Sequence, residues 1–288
     1  IHTREAAIWT VVWIAIAFSF SFVIHWLFDH GKLEHTTTLT ADKAVLKYIT
    51  GYLIELSLSI DNVFVIAVIF SSFNIPLKYQ HRVLFWGILG AIVFRGLMIA
   101  FGVALINNFD WIVYVFGVFL LFTAIKMYKS DSMEFDPKRS VFVRIIKRFV
   151  PYTPVIHEEN FFVRQNGNKL ATPLFLALVI IELSDILFAI DSIPAILAIT
   201  SDPFIVFSSN IFAVLGLRSM YFLLSRMLVK FRFIRFSLMV ILAFVGLKMI
   251  ASHFVNLSEI FSLGVILVAL GGGVLASVLI KPPPDSPL

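Results

Sequence analysis

Five carboxylates, Glu55, Asp61, Glu182, Asp185 and Asp191, lie inside stretches that are otherwise almost wholly apolar. An acid at the centre of a membrane helix costs about 2.5–3.5 kcal/mol on insertion scales, so five would cost about 12 kcal/mol or more if nothing compensated them. Packing alone does not account for such a set. One segment reads Glu55-Leu-Ser-Leu-Ser-Ile-Asp61-Asn62 and another Asp185-Ile-Leu-Phe-Ala-Ile-Asp191-Ser192, so each pair of acids is followed by an amide or a hydroxyl. Carboxylate, amide, hydroxyl and carbonyl oxygens suit Mn²⁺, Mg²⁺ or Ca²⁺ better than Cu or Zn. The candidate metal ligands are therefore Glu55, Asp61, Asn62, Glu182, Asp185, Asp191 and Ser192. Ser57 and Ser59 are better read as ordinary helix hydrogen-bonding residues.

Arg95 and Arg218 are the two cations at span centres, whereas Lys126 and Lys248 sit near span ends and can snorkel. Two arginines against five acids leave the interior short of positive charge, and bound cations or bound protons are the ways to restore it. The arginines are expected to balance or gate the acids. The competing reading is a set of internal ion pairs that only ties helices together. Glu182 and Asp185, three residues apart, share a helix face, while Asp191 lies about 120° round from Asp185 on an unbroken helix. Pro194 cannot give an N–H to Ile190, so a kink or unwinding is expected near Asp191, with freed carbonyls as further ligands.

The elements that position these residues must be membrane helices. The 288 residues are 59% hydrophobic and 14% charged, against about 25% charged in an average soluble domain, and the mean hydropathy is +0.94. Eight stretches are long and apolar enough to span: 4–28, 47–70, 84–107, 110–128, 173–199, 204–226, 235–253 and 259–280. The sequence thus predicts an all-α polytopic membrane protein in a lipid bilayer, one domain over 1–288. With eight spans, sixteen of the 23 Lys and Arg fall on one side and three, Lys32, Lys43 and Lys47, on the other. The positive-inside rule makes the sixteen-charge side, with segment 129–170, cytoplasmic. Within that segment Val141, Phe142, Ile145, Ile146 and Phe149 recur at helical spacing, which predicts a surface helix. Asn166-Gly167 between short apolar arms predicts a hairpin. The tail 281–288 is Pro-rich and expected to be disordered.

The net charge of +5 arises from loops between spans, which does not call for a nucleic-acid partner. There is no cysteine, hence no thiolate metal site and no disulfide. The seven histidines lie outside the acidic segments, and those near span ends, His25 and His253, suit interfacial packing. No Walker loop, nucleophile elbow or HExxH helix occurs. The chain is expected not to be an enzyme and to use no cofactor. An intramembrane aspartyl protease built on Asp61 and Asp191 is the alternative from the enzyme class, but it lacks a Gly-x-Gly-Asp motif and leaves three acids unexplained.

The two halves resemble each other. Besides the six-residue acid spacing, ILGAIVFRGLM with Arg95 corresponds to IFAVLGLRSMY with Arg218, and AIKM with Lys126 to GLKM with Lys248. The order is the same in both, which predicts repeats over 47–128 and 173–253, with 259–280 as a final span. Each repeat holds three spans, so the second enters from the opposite face and the two are expected to form inverted repeats.

At GYLIELSLSIDNVFV (Gly51 to Val65), IELSDILFAIDSIPAI (Ile181 to Ile196) and the following TSDPFIVFSSNIFAVLGLRSMYFL, the sequence closely resembles the TerC family of integral membrane proteins, over nearly the whole chain. That family is named for tellurium resistance, is grouped with the LysE-type exporters and includes a bacterial manganese exporter. The resemblance implies Mn²⁺ efflux across a bacterial inner membrane, with the acids matching Glu55, Asp61, Glu182, Asp185 and Asp191 as the metal site. It also implies one further helix upstream, which fits a chain starting at Ile1. Other relatives are linked to metallation of exported proteins or to thylakoid assembly, which leaves an assembly factor without flux as the alternative.

Overall fold

The computed structural model describes residues 3–32, 39–129, 148, 150–165, 167–224, 233–252, 254, 255 and 257–280, with Thr3, Asp61, Leu224 and Ile234 described by their backbone only. The expected surface helix at 141–149 falls almost entirely outside this set, as do Asn166, His253 and the tail. Eight helices run through the described residues: α1 Thr3–Asp29, α2 Ala41–Ser72, α3 Leu77–Asn108, α4 Ile112–Lys129, α5 Pro173–Leu197, α6 Pro203–Leu224, α7 Ile234–Ala251 and α8 Glu259–Leu279. Seven are long and apolar enough to cross a membrane by length and composition. The eighth, α7, spans 18 residues and packs along α4.

Local chemistry sets the helix ends. Asn74 takes a left-handed φ of 52° after α2, and Ile75 N–H returns to the Phe70 carbonyl at 3.0 Å, so the chain reverses into α3 within four residues. Asp202 caps α6, its Oδ1 accepting from the Phe204 and Ile205 amides at 3.0 Å each. At α8 the cap is Ser258, whose Oγ accepts from Phe261 N–H at 3.2 Å, and Glu259 occupies the first turn. Strands β1 (Phe162–Gln165) and β2 (Asn168–Ala171) pair antiparallel about Gly167, whose φ of 82° suits glycine. Thr172 and Pro173 then start α5.

α2, α3 and α4 each lie antiparallel against their counterparts α5, α6 and α7. Gly51 approaches Ile196 while Asn62 meets Asp185; Gln80 meets Tyr221 while Arg95 meets Asn210; Gly117 approaches Gly246 while Met127 meets Arg235. This pairing is the one expected of two three-helix units inverted with respect to each other. At the α4–α7 contact a Cβ on Gly117 would stand 3.0 Å from the Gly246 carbonyl oxygen, and one on Gly246 would stand 2.8 Å from that of Gly117. Large apolar side chains on α1 and α8, such as Phe22 and Val268, are exposed, as a lipid-facing surface requires.

Two large apolar clusters occupy the bundle, with two smaller ones where α1 packs on it. One large cluster joins Phe70, Leu84, Ile180 and Leu217 near one end. The other joins Ile54, Ile99, Ile193 and Val206 towards the opposite end. Glu55 and Asn62 on α2, Arg95 on α3, Glu182 and Asp185 on α5 and Asn210 on α6 fall between the stretches that feed these clusters.

Candidate metal centre

That intermediate layer holds Glu55, Asn62, Arg95, Asp185 and Asn210, all buried. Arg95 on α3 is its centre. Its Nε and Nη2 donate to the two oxygens of Asp185 at 2.9 and 2.7 Å, while Nη1 donates to Glu55 and to Asn210 Oδ1, the latter at 2.9 Å. Asn210 Nδ2 completes the ring by donating to Glu55 at 3.3 Å, and Asn62 Nδ2 reaches Asp185 at 3.4 Å. Glu55 and Asp185 begin the two matching acid segments, so one guanidinium bridges repeat-related acids. A fork of five donors on a rigid plane is what allows one side chain to do this.

Beside the ring is a cavity of about 20 Å³, lined in part by Asn62, Gly87, Ser184 and Asp185. That is room for about one water-sized particle. Asn62 Oδ1 and Glu182 Oε2 are buried without a hydrogen-bond partner among the described residues, as are Ser59 Oγ and Ser192 Oγ. The Glu182 carboxylate rests directly on Gly90, where no Cβ stands in its way. Unsatisfied oxygens in an interior are costly and call for an explanation such as an ion or a proton.

The predicted site residues do not all converge. Glu55 and Asp185 are joined to Arg95, Asn62 reaches the ring through Asp185, and Glu182 lies close to Asp185. Asp191 stands apart at the α4–α5 interface, where Thr123 Oγ1 donates to it at 3.1 Å. Arg218 is not in the ring; it lines a separate cleft with Lys78 and His81. Asp61 lies on α2 one residue before Asn62, and its side chain is outside the description. Among the described residues no three acids or histidines converge to hold a metal on their own.

One expectation changes. α5 does not unwind at Asp191; it stays helical to Leu197, so the bond that Pro194 cannot make falls in the last turn, where its loss matters least. Lys248, in the last turn of α7, meets Glu259 at 3.5 Å and Ser262 at 3.0 Å at the start of α8. Sequence reasoning passed over Asn210 and Thr123, although an amide in the middle of an apolar span was a signal for the first.

A bundle of apolar helices around a buried, charged layer defines a polytopic integral membrane protein. Residues 40–284 match the family described as "Integral membrane protein TerC family", and the chain belongs to that family. It is 47% identical over 276 residues to "Uncharacterized membrane protein STKORF319" of Myxococcus xanthus, covering 96% of this chain and 83% of the relative. It is 46% identical over 263 residues to "Putative membrane-bound redox modulator Alx" of Escherichia coli strain K12, covering 91% and 81% respectively. A further relative is an "Uncharacterized membrane protein" of Rickettsia bellii, 45% identical over 235 residues, covering 82% and 78%. No solved structure matches.

Proposed function

We propose that this protein is a secondary transporter that exports a divalent metal ion, Mn²⁺ foremost, in exchange for protons at the buried carboxylates. The observation that carries the reading is the Arg95 ring. Glu55 and Asp185 are held at mid-bundle by a tethered cation, next to a cavity and two unpartnered oxygens of Asn62 and Glu182. A mobile cation entering there competes with Arg95 for the same carboxylate oxygens. When the guanidinium lets go of Asp185, that carboxylate joins Asn62 Oδ1 and Glu182 as a hard-oxygen donor set of the kind Mn²⁺ accepts. Arg95 thereby keeps the acids balanced between cations and disfavours leakage of a bare charge. Asp191 with Thr123, and Asp61, serve as further stations along the path between the two three-helix units, 47–128 and 173–253. Export runs from the side of the 129–170 segment, which the basic residues assign to the cytoplasm of the bacterial inner membrane.

The lack of three converging acids among the described residues favours one second reading, a membrane assembly or metallation factor without robust flux of its own. The name of the Escherichia coli relative suggests redox modulation, and with no cysteine this chain has no thiol chemistry of its own to offer. Purified protein in liposomes separates the readings. Entrapped indicator should report Mn²⁺ movement, with Mg²⁺, Ca²⁺ and Zn²⁺ as comparisons, and liposomes no more permeable than protein-free vesicles would refute export.

A further inference from the structure

At the end of the bundle where α2 stops, α3 starts and α6 runs out, a cleft of about 880 Å³ opens. Ala67, Phe70 and Phe222 line its apolar side, Lys78 and Arg218 supply its charge, and His81 borders it; no lining residue is acidic. The first turn of α3 borders it through Leu77 and Lys78, so the end of the helix with free amides and positive partial charge faces the same space. Gln80 on the cleft is satisfied internally, donating to the Ile75 carbonyl at 2.9 Å and accepting from the Tyr221 hydroxyl at 2.8 Å, which fixes the floor without offering a counter-charge. Two acids outside the lining, Glu158 and Glu159, lie within electrostatic reach of Lys78, and Glu159 is engaged by Arg82 at 3.1 Å. Arg218 has no carboxylate within ion-pair distance among the described residues. Its repeat counterpart Arg95 holds two. The duplicated arginine thus has its anions built in on one side of the molecule and lacks them on the other.

We infer that this cleft binds a phosphate-bearing anion, the headgroup of an acidic phospholipid, with Lys78, Arg218 and the α3 amides on the phosphate and the acyl chains leaving along Ala67 and Leu77. Basic pockets between membrane helices suit such headgroups, and the mixed apolar and basic lining distinguishes a lipid from a soluble anion. Leu77, 59% exposed at the mouth, extends the apolar surface outward.

The test uses the full chain in neutral detergent, titrated with short-chain phosphatidylglycerol, short-chain phosphatidylcholine and inorganic phosphate, with binding read by native mass spectrometry. Phosphatidylglycerol should bind and phosphatidylcholine should bind at least tenfold more weakly. Lys78→Gln with Arg218→Gln should lose about tenfold or more of the phosphatidylglycerol affinity, and Lys78→Arg with Arg218→Lys should keep it. Lys78 is fully exposed, so the single Lys78→Gln variant folds whatever the fate of the double and should already weaken binding measurably. Displacement of the lipid by inorganic phosphate supports the shared phosphate chemistry. Unchanged phosphatidylglycerol affinity in Lys78→Gln, equal binding of the two lipids, or phosphate binding without lipid binding would each overturn the assignment.

Discussion

Replacing Arg95 with Gln tests whether the guanidinium and a divalent cation compete for the same oxygens. In the structure Arg95 gives two hydrogen bonds to Asp185 and one to Glu55, with all three side chains nearly or wholly excluded from solvent. Removing one partner from a buried ion pair costs about 3–5 kcal/mol, and here two carboxylates lose the same partner, so the variant should sit at the upper end. A divalent cation that takes over the vacated positions returns stability by mass action, about 2.7 kcal/mol at a hundred times its dissociation constant and about 4.1 kcal/mol at a thousand times. In the unmodified protein the same cation must first displace Arg95 and so stabilises less. The assay is thermal unfolding in detergent, followed by intrinsic fluorescence of the five tryptophans, across a Mn²⁺ titration with choline chloride at matched ionic strength. Arg95→Gln should melt lower without metal and gain more from it. If Mn²⁺ stabilises the unmodified protein as much as the variant, competition at Glu55 and Asp185 is refuted.

Asp61→Asn and Asp191→Asn should each insert normally yet lose Mn²⁺ flux in liposomes, since each removes one ligand charge while keeping shape; retained flux in both would remove these acids from the path. Gly90→Ala places a Cβ where the Glu182 carboxylate now rests, so it should lower Mn²⁺ affinity at least tenfold with a stability loss of about 1–3 kcal/mol, measured by calorimetry and melting together. Mn²⁺ binding should release protons, because the acids outnumber the single arginine of the layer. Metal and protons then compete, so affinity falls as pH is lowered. Calorimetry in buffers of different ionisation enthalpy reads the proton number, and none released between about pH 5.5 and 8 would end the case for proton exchange through this site.

The helices were legible because each rests on a local signal, an apolar stretch of spanning length, while the recurrence of acids, arginines and lysines in one order predicted inverted repeats without saying which helices would pack together. The mid-bundle position of Glu55 and Asp185 followed from the same signals. The role of Arg95 did not. Repeat symmetry gives Arg95 and Arg218 equal standing, and only the three-dimensional path of α3 and α6 decides that one reaches the acids and the other faces the cleft. Asn210 was hidden for a similar reason, since its partners Glu55 and Arg95 are more than a hundred residues away along the chain. Pro194 misled because a proline weakens a helix by an amount that depends on where the helix ends, and α5 ends three residues later.

The glycine contact between α4 and α7 has a mechanical consequence. Where Gly117 and Gly246 meet, neither position has room for a Cβ: one on Gly117 would also stand 2.8 Å from Ile250 Cγ1, and one on Gly246 3.1 Å from Leu121 Cγ. With both carbonyls and these side chains closed around the glycines, the two helices approach with little slack. The seam can slide or swivel about its length, and it cannot open or tighten without losing contact or colliding. On the transport reading proposed above, a rearrangement that exposes the Arg95 layer to alternate faces falls to α2, α3, α5 and α6, with this seam as the axle about which they turn.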